Sequence, residues 1–232
     1  MKKLIVLASA FAIVGSTFAQ KPTSEESKYS LEGNLNYSAA GGIQWTAPSI
    51  RARYFVNDNI AGRLQLGLGD GTNTPRSEKY NYSENADGTG AVGTESITRM
   101  QWMVQLGAEY HLEGTDRLSP YFMLGLNLGG GSRVDEWTNF NGTGYQDGFS
   151  AKVENGFSSF GINIGAGMDF YVYQNLYLGF ELGLGWMNRN WNDGVTSVTI
   201  GNTTTTSTNL GFSESFMGTN AFNTAFRLGW RF

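Results

Sequence analysis

The feature that most constrains this chain is a two-residue alternation sustained far longer than a globular strand needs. From Phe160 to Val172, the residues Phe160, Ile162, Ile164, Ala166, Met168, Phe170 and Val172 are apolar, and Gly161, Asn163, Gly165, Gly167, Asp169 and Tyr171 lie between them. A period of two is a strand signature, and a globular strand averages only about 5–6 residues. The pattern recurs from Tyr29 to Tyr37, Ile50 to Val56 (able to start as early as Trp45), Gly62 to Leu68 and Met100 to Tyr110. It recurs again from Phe122 to Leu128, Leu178 to Trp186 and Phe222 to Phe232. Spans of roughly ten residues are what a tilted strand needs to cross a bilayer. None of these apolar faces carries a charge, and a Lys or Arg facing mid-bilayer lipid would cost ~2–4 kcal/mol.

The opposite faces are polar or glycine. They hold Asn34, Asn36, Gln65, Gln101, Gln105, Asn127, Asn163 and Asn223, with Gly67, Gly107, Gly125, Gly165, Gly183 and Gly229 among them. Glycine weakens an ordinary strand, yet the chain has 32 Gly in 232 residues, nearly twice the usual share of about 7%. The interior of a narrow barrel supplies a reason, because glycines leave room for larger neighbours. The expected fold is therefore all-β, an eight-stranded antiparallel up-and-down transmembrane β-barrel over residues 29–232. A soluble lipocalin-like barrel is the alternative, with apolar side chains inside and polar ones in water.

Connections alternate in length. Asn57 to Asn59, Glu113 to Arg117 and Tyr173 to Asn175 read as tight turns. Residues 70–96, 130–155 and 187–220 read as long loops, and only the first outer connection, Ser38 to about Gln44, is short. Short turns belong on the periplasmic side of such barrels and long loops outside. An even strand number then places both termini in the periplasm. Asn59-Ile60 leading to Leu66-Gly67-Leu68-Gly69 is echoed by Asn175-Leu176 leading to Leu182-Gly183-Leu184-Gly185, a hairpin repetition rather than a solenoid. Val195 to Leu210 reads as a hairpin about Gly201-Asn202. Thr203 to Thr208 is too polar to face lipid, so this hairpin extends the last two strands beyond the membrane instead of making a ten-stranded barrel.

The N-terminus reads as an address. Met1-Lys2-Lys3 is basic, Leu4 to Val14 is apolar, and Thr17-Phe18-Ala19 supplies small residues for cleavage. That order marks residues 1–19 as a signal peptide. Residues 20–28 are polar and expected to be a flexible lead-in. The absence of Cys removes disulfides, a cysteine nucleophile and Cys-ligated metal. A single His removes a multi-histidine cage. A formal charge of -4 argues against nucleic acid, and a mean hydropathy of -0.28 against a helical membrane bundle.

Eight inward-facing charges stand out: Glu32, Arg51, Arg53, Arg63, Glu109, Asp169, Glu181 and Arg227. Most lie close to a periplasmic turn or terminus. Arginine's planar fork suits carboxylates, so these residues are expected to form a lumen ion-pair network that plugs the barrel or gates it. Water-filled porins need about 16 strands, so the chain is porin-like only in a narrow, gated sense. His111 is expected to face inward beside the Glu113 to Arg117 turn, as an interfacial residue of the periplasmic end. That position argues against a Ser-His or Asp-His hydrolase, whose base needs its nucleophile or water in reach. Tyr29, Tyr54, Tyr110, Phe170 and Phe232 suit an inner aromatic girdle, and Trp102 and Trp186 an outer one. Asp87-Gly88 lacks calcium-loop spacing. No metal, cofactor or catalytic residue is expected. Glu136 to Phe140 and Met187 to Trp191 mix aromatic and polar residues on the expected loops and suit a glycan or protein surface ligand.

The last residues, Phe226, Leu228, Trp230 and Phe232, alternate to a terminal aromatic. This resembles the C-terminal signal that the barrel-assembly machinery reads. Ala52 to Gly69 and Leu118 to Gly129 also resemble small outer-membrane barrels of the OmpA-like/OmpX-like family, and the likeness spans about Lys28 to Phe232. It implies a bacterial outer-membrane location and contact with lipopolysaccharide. It further implies a non-enzymatic structural or surface-interaction role, carried by segments 70–96, 130–155 and 187–220. A narrow gated channel is the second reading, and a lipid A-modifying enzyme the third. The likeness covers the barrel domain alone, so wall anchoring through a peptidoglycan-binding domain is not expected.

Overall fold

The computed structural model describes residues 20–38, 42–44, 49–69, 76–218 and 225–232. The expected signal peptide, the early start at Trp45 and the inward placement of Asn223 lie outside them. Thirteen strands run in chain order: β1 (Tyr29–Ser38), β2 (Gly42–Gln44), β3 (Ser49–Phe55), β4 (Ile60–Leu68), β5 (Arg76–Ser83), β6 (Val92–His111), β7 (Leu118–Phe140), β8 (Tyr145–Tyr173), β9 (Leu176–Trp191), β10 (Gly194–Ile200), β11 (Thr203–Asn209), β12 (Ser213–Gly218) and β13 (Ala225–Arg231). All pairings are antiparallel. They run β1–β3–β4–β6–β7–β8–β9–β13 and return from β13 to β1.

Burial follows the alternation, inverted from a water-soluble protein. Leu66, Leu124, Ile164 and Leu184 are about half exposed, whereas Arg51, Asp169 and Glu181 are fully buried. Apolar side chains point outward and charged ones inward, which overturns the lipocalin-like alternative. Among the described residues no helix is long and apolar enough to cross a membrane.

The tight turns fall where the sequence places them. Asn57 Oδ1 accepts from the backbone N–H of Asn59 and Ile60 at 2.9 and 2.8 Å, an Asx turn that joins β3 to β4. Asn175 turns β8 into β9 with φ of 66°, a region asparagine tolerates well.

The long outer segments differ from expectation, because most of their described length is strand. β8 has 29 residues and β7 has 23, against 9 in β4. At ~3.3 Å per residue β8 extends roughly 90 Å, about twice what a tilted crossing of a ~30 Å core uses. Segment 130–155 is the β7–β8 ladder, shifted in register between Thr138 and Phe140 and closed at residues 141–144. Segment 70–96 carries the β5–β6 hairpin. Met187 to Trp191 belongs to β9 rather than to a loop. The hairpin expected at Val195 to Leu210 is present, β10 pairing with β11 about Gly201-Asn202. β10 continues β9 along β8, passing from Phe157↔Trp191 to Glu154↔Val195. β11 and β12 keep one register against β10 and β9. β11 is polar on both faces, so no hydrophobic period announces it. The backbone still pairs, because Thr, Tyr, Val and Trp favour strands.

Residues 20–28 run as a strap hydrogen-bonded to the end of the barrel that carries the tight turns. Lys21 N–H donates to the Asp116 carbonyl at 2.6 Å, and Phe55 N–H to the Lys28 carbonyl at 2.8 Å. Ser24 N–H donates to Asp58 Oδ1 at 2.6 Å, and Arg231 Nε to the Ser27 carbonyl at 2.9 Å. Pro22, Ser24 and Ser27 are buried. Polar composition alone underrates such a segment, because its partners are turn residues distant in sequence.

Candidate functional site: a charged lumen

Seven strands bring the eight expected charges together. Arg51 and Arg53 on β3, Arg63 on β4 and Glu109 on β6 share the inward phase with Glu32, Asp169, Glu181 and Arg227 on β1, β8, β9 and β13. All eight are at most 4% exposed. Each carboxylate meets at least two guanidinium groups, and each guanidinium at least two carboxylates.

The register creates a problem that the network solves. Arg53 and Arg63 are directly opposed across β3 and β4, and like charges so placed repel. Glu109 reaches across both, taking Arg53 Nη1 at 2.9 Å and Arg63 Nη1 at 3.2 Å. Glu181 joins Arg51 and Arg63, each at 2.9 Å, and accepts from the Tyr121 hydroxyl at 2.7 Å. Glu32 pairs with Arg53, with Arg227 at 2.7 Å and with Arg51 at 3.7 Å, and accepts from the Tyr177 hydroxyl at 2.8 Å. Asp169 holds Arg53 at 2.7 Å and Arg227 at 3.1 Å. Outward of the charges, Arg63 Nη2 donates to Gln105 Oε1 at 2.6 Å, and Gln105 Nε2 to Asn127 Oδ1 at 2.7 Å. Buried charges persist only when paired and hydrogen-bonded, and this lumen meets both conditions at every carboxylate.

His111 faces inward as expected, but deeper than an interfacial residue would. It is a buried lumen residue, 1% exposed, not an interfacial one. Its Nδ1 lies 3.0 Å from Ser119 Oγ and its Nε2 3.1 Å from Glu109 Oε2. A serine and an acid are therefore in reach, contrary to the sequence expectation. Ser119 is 3% exposed, and the imidazole is packed between Phe55 and Tyr121, at 5.4 and 5.1 Å. Glu109 is already committed to Arg53 and Arg63. The imidazole thus links Ser119 to the Glu109 carboxylate inside the lumen.

Sequence reasoning missed several lumen members. Arg231 shares the phase of Arg227, is 3% exposed and stacks 3.6 Å over the Phe55 ring. Tyr121, Tyr171 and Tyr177 are also buried. Tyr171 already stood on the inward face; the period-two rule could have found the other three, because Arg231 and Tyr177 have the parity of Arg227 and Glu181, and Tyr121 that of Asn127. The outward aromatics are where expected: Tyr29, Tyr54, Tyr110, Phe170 and Phe232 are 41–57% exposed at the inner end, and Trp102 is 44% exposed toward the outer end. Phe226, Leu228 and Trp230 face outward on β13. Among the described residues no three His, Cys, Asp or Glu side chains gather as metal ligands.

An apolar exterior, a charged interior and antiparallel pairings that return to the first strand define an integral membrane β-barrel. The family model of the outer membrane protein beta-barrel domain matches residues 5–232, and the chain belongs to that family. It is thus an integral outer-membrane protein of a Gram-negative-type bacterium. No curated protein matches the chain.

Proposed function

We propose that this chain is an eight-stranded, non-enzymatic barrel of the OmpA-like/OmpX-like kind, serving as a structural and surface-interaction protein. The signal peptide is removed after Ala19, the barrel-assembly machinery reads Phe226, Leu228, Trp230 and Phe232, and both termini face the periplasm. Lipopolysaccharide surrounds the outer end. One observation carries the functional reading: β6, β7, β8, β10 and β11 project as a paired sheet well past the span a membrane needs, while β4 stops at Leu68. A barrel that only had to seal itself would need none of that sheet. Its outermost strand, β11, is exposed along its whole length and pairs only with β10 among the described strands. The test replaces residues 194–209 and 84–91 by short turns. Heat-shifted gel mobility should persist, showing an intact barrel, while attachment of producing cells to their surface ligands falls. Unchanged attachment would remove the reading.

The second reading is a narrow gated channel, favoured by the double partnering of every lumen charge, which lets pairs exchange. Planar-bilayer recording decides it: long-lived openings support the channel, and a silent membrane with folded protein supports the plug. The burial of His111 and Ser119 weighs against the lipid A-modifying enzyme, and unchanged lipid A mass spectra on overexpression would exclude it.

A further inference from the structure

Three arginines stand in one row across the projecting sheet. Arg76 is directly opposite Arg99, and Arg99 directly opposite Arg133. Arg99 and Arg133 share the inward parity of Glu109 and Tyr121 on their strands, so the row lies on the concave face. Like charges in cross-strand register repel, and the lumen shows how this chain balances such a pair: Glu109 bridges Arg53 and Arg63. Among the described residues the outer row has no such bridge. Arg133 Nε is held by its own strand's Asp135 at 3.0 and 2.8 Å, and Arg76 Nη1 by Glu78 at 3.1 Å. Among the described residues Arg99, between them, makes no ion pair, and its buried Nε has no hydrogen-bond partner. An unpaired buried donor between two like charges is costly to leave unmet.

The adjoining row supplies a second element. Gln101, Gly131, Phe157 and Trp191 follow one another across β6, β7, β8 and β9. The Phe157 ring leans over Gly131, where an added Cβ would come within 2.6 Å of it. Phe157 and Trp191 lie 5.1 Å apart, centroid to centroid, and both are partly exposed. Arg189 backs them, 4.7 Å from the Phe157 ring, with its charge met by Glu214 at 3.6 Å. An aromatic platform beside an unsatisfied guanidinium suits one kind of ligand. The rings take the apolar face of a sugar, and the arginines take its anion, since arginine matches phosphate and carboxylate in a planar fork.

We infer that the concave face around Arg99, Arg133, Phe157 and Trp191 binds an anionic sugar group, phosphorylated or carboxylated. The inference rests on the surface-interaction reading and names its ligand chemistry. Such a group reaches the site either on an outer-leaflet glycolipid or on a free acidic glycan.

The test titrates the refolded chain from Gln20 onward, in detergent micelles, with inorganic pyrophosphate and with glucose 6-phosphate, read by tryptophan fluorescence. Both should saturate and weaken with added salt. Arg99→Gln should lose tenfold or more in affinity for both, yet unfold no more easily than wild type in anion-free buffer, because it removes a repulsion. Phe157→Ala should lose affinity for glucose 6-phosphate and keep it for pyrophosphate. Stronger binding to vesicles of phosphorylated than of dephosphorylated lipopolysaccharide assigns the lipid-borne source, and equal binding to both assigns the free glycan. No saturable response, an Arg99→Gln titration equal to wild type, or a marked loss of stability in Arg99→Gln overturns the site. If the anion response is absent while removal of the outer hairpins still abolishes cell attachment, this site falls and the surface-interaction reading stands.

Discussion

At the residue scale, the lumen is a set of steric permissions as much as a set of charges. A Cβ at Gly229 would fall inside the contact radius of the Tyr177 ring, and one at Gly179 would lie 2.6 Å from Arg227 Nη2. Small inward residues thus make room for the large ones that fill the barrel. Gly229→Ala should destabilise by ~1–3 kcal/mol, the range for overpacking a filled interior. Gly62→Ala, where a Cβ meets nothing within 4 Å, should change stability by no more than ~0.5 kcal/mol. Urea-midpoint measurements in lipid vesicles compare the two directly. The charges obey a stricter rule. Glu181→Gln leaves Arg51 and Arg63 sharing the remaining acids, and an uncompensated buried charge costs about 3–5 kcal/mol. The same assay should place this variant well below Gly229→Ala. A smaller loss than the glycine variant shows would mean the network rearranges around the missing acid.

At the element scale, the strap and the outer strands show what sequence periodicity reveals and what it conceals. The membrane-spanning parts of β3, β4, β8 and β9 were legible because lipid imposes an apolar face on alternate residues, and the same alternation fixed the inward parity of all eight lumen charges. Where solvent bathes both faces, as along Thr203–Asn209, all seven residues of the strand are exposed. Hydrophobicity then carries no phase, and paired backbone is read as loop. The contacts of His111 were hidden for a different reason: Ser119 arrives from β7, the next strand, through a register that a single sequence does not display. The strap was hidden because its anchors are turns. Asp58, on the β3–β4 turn, has its carboxyl held below the ordinary value of 3.8, chiefly by the Ser24 backbone N–H that donates to it. A lowered folded pKa stabilises above the unfolded value and is lost as pH falls through the folded one. The strap's attachment should therefore be complete at neutral pH and weaken only below ordinary aspartate titration. The Ser24 amide shift in an NMR titration should follow that acid step, with its midpoint below 3.8. Asp58→Asn should abolish the step.

At the scale of the whole molecule, the barrel has two unlike halves. The inner half is filled, with a strap, buried tyrosines and four fully paired carboxylates stacked along the lumen. The outer half is thinned by glycines and opens onto the concave face of a sheet longer on one side than the other. A solute would have to pass the inner half, so any conductance is controlled there. Arg53 meets Glu32, Glu109 and Asp169, and Arg63 meets Glu109 and Glu181, so these two side chains tie the four acids together across the lumen. Replacing both with Ala removes two large side chains and leaves the acids with only Arg51 and Arg227. Mutual repulsion should then admit water and cations. The double variant should show frequent, cation-selective openings in a planar bilayer where wild type is silent or brief. Because unpaired buried acids also destabilise, the comparison needs Arg53→Lys with Arg63→Lys as its partner. Lysine keeps the charge and most of the volume but not the fork, so that pair should fold and conduct less than the alanine pair. Equal conductance from both pairs would mean that arginine geometry, rather than charge or bulk, seals the lumen.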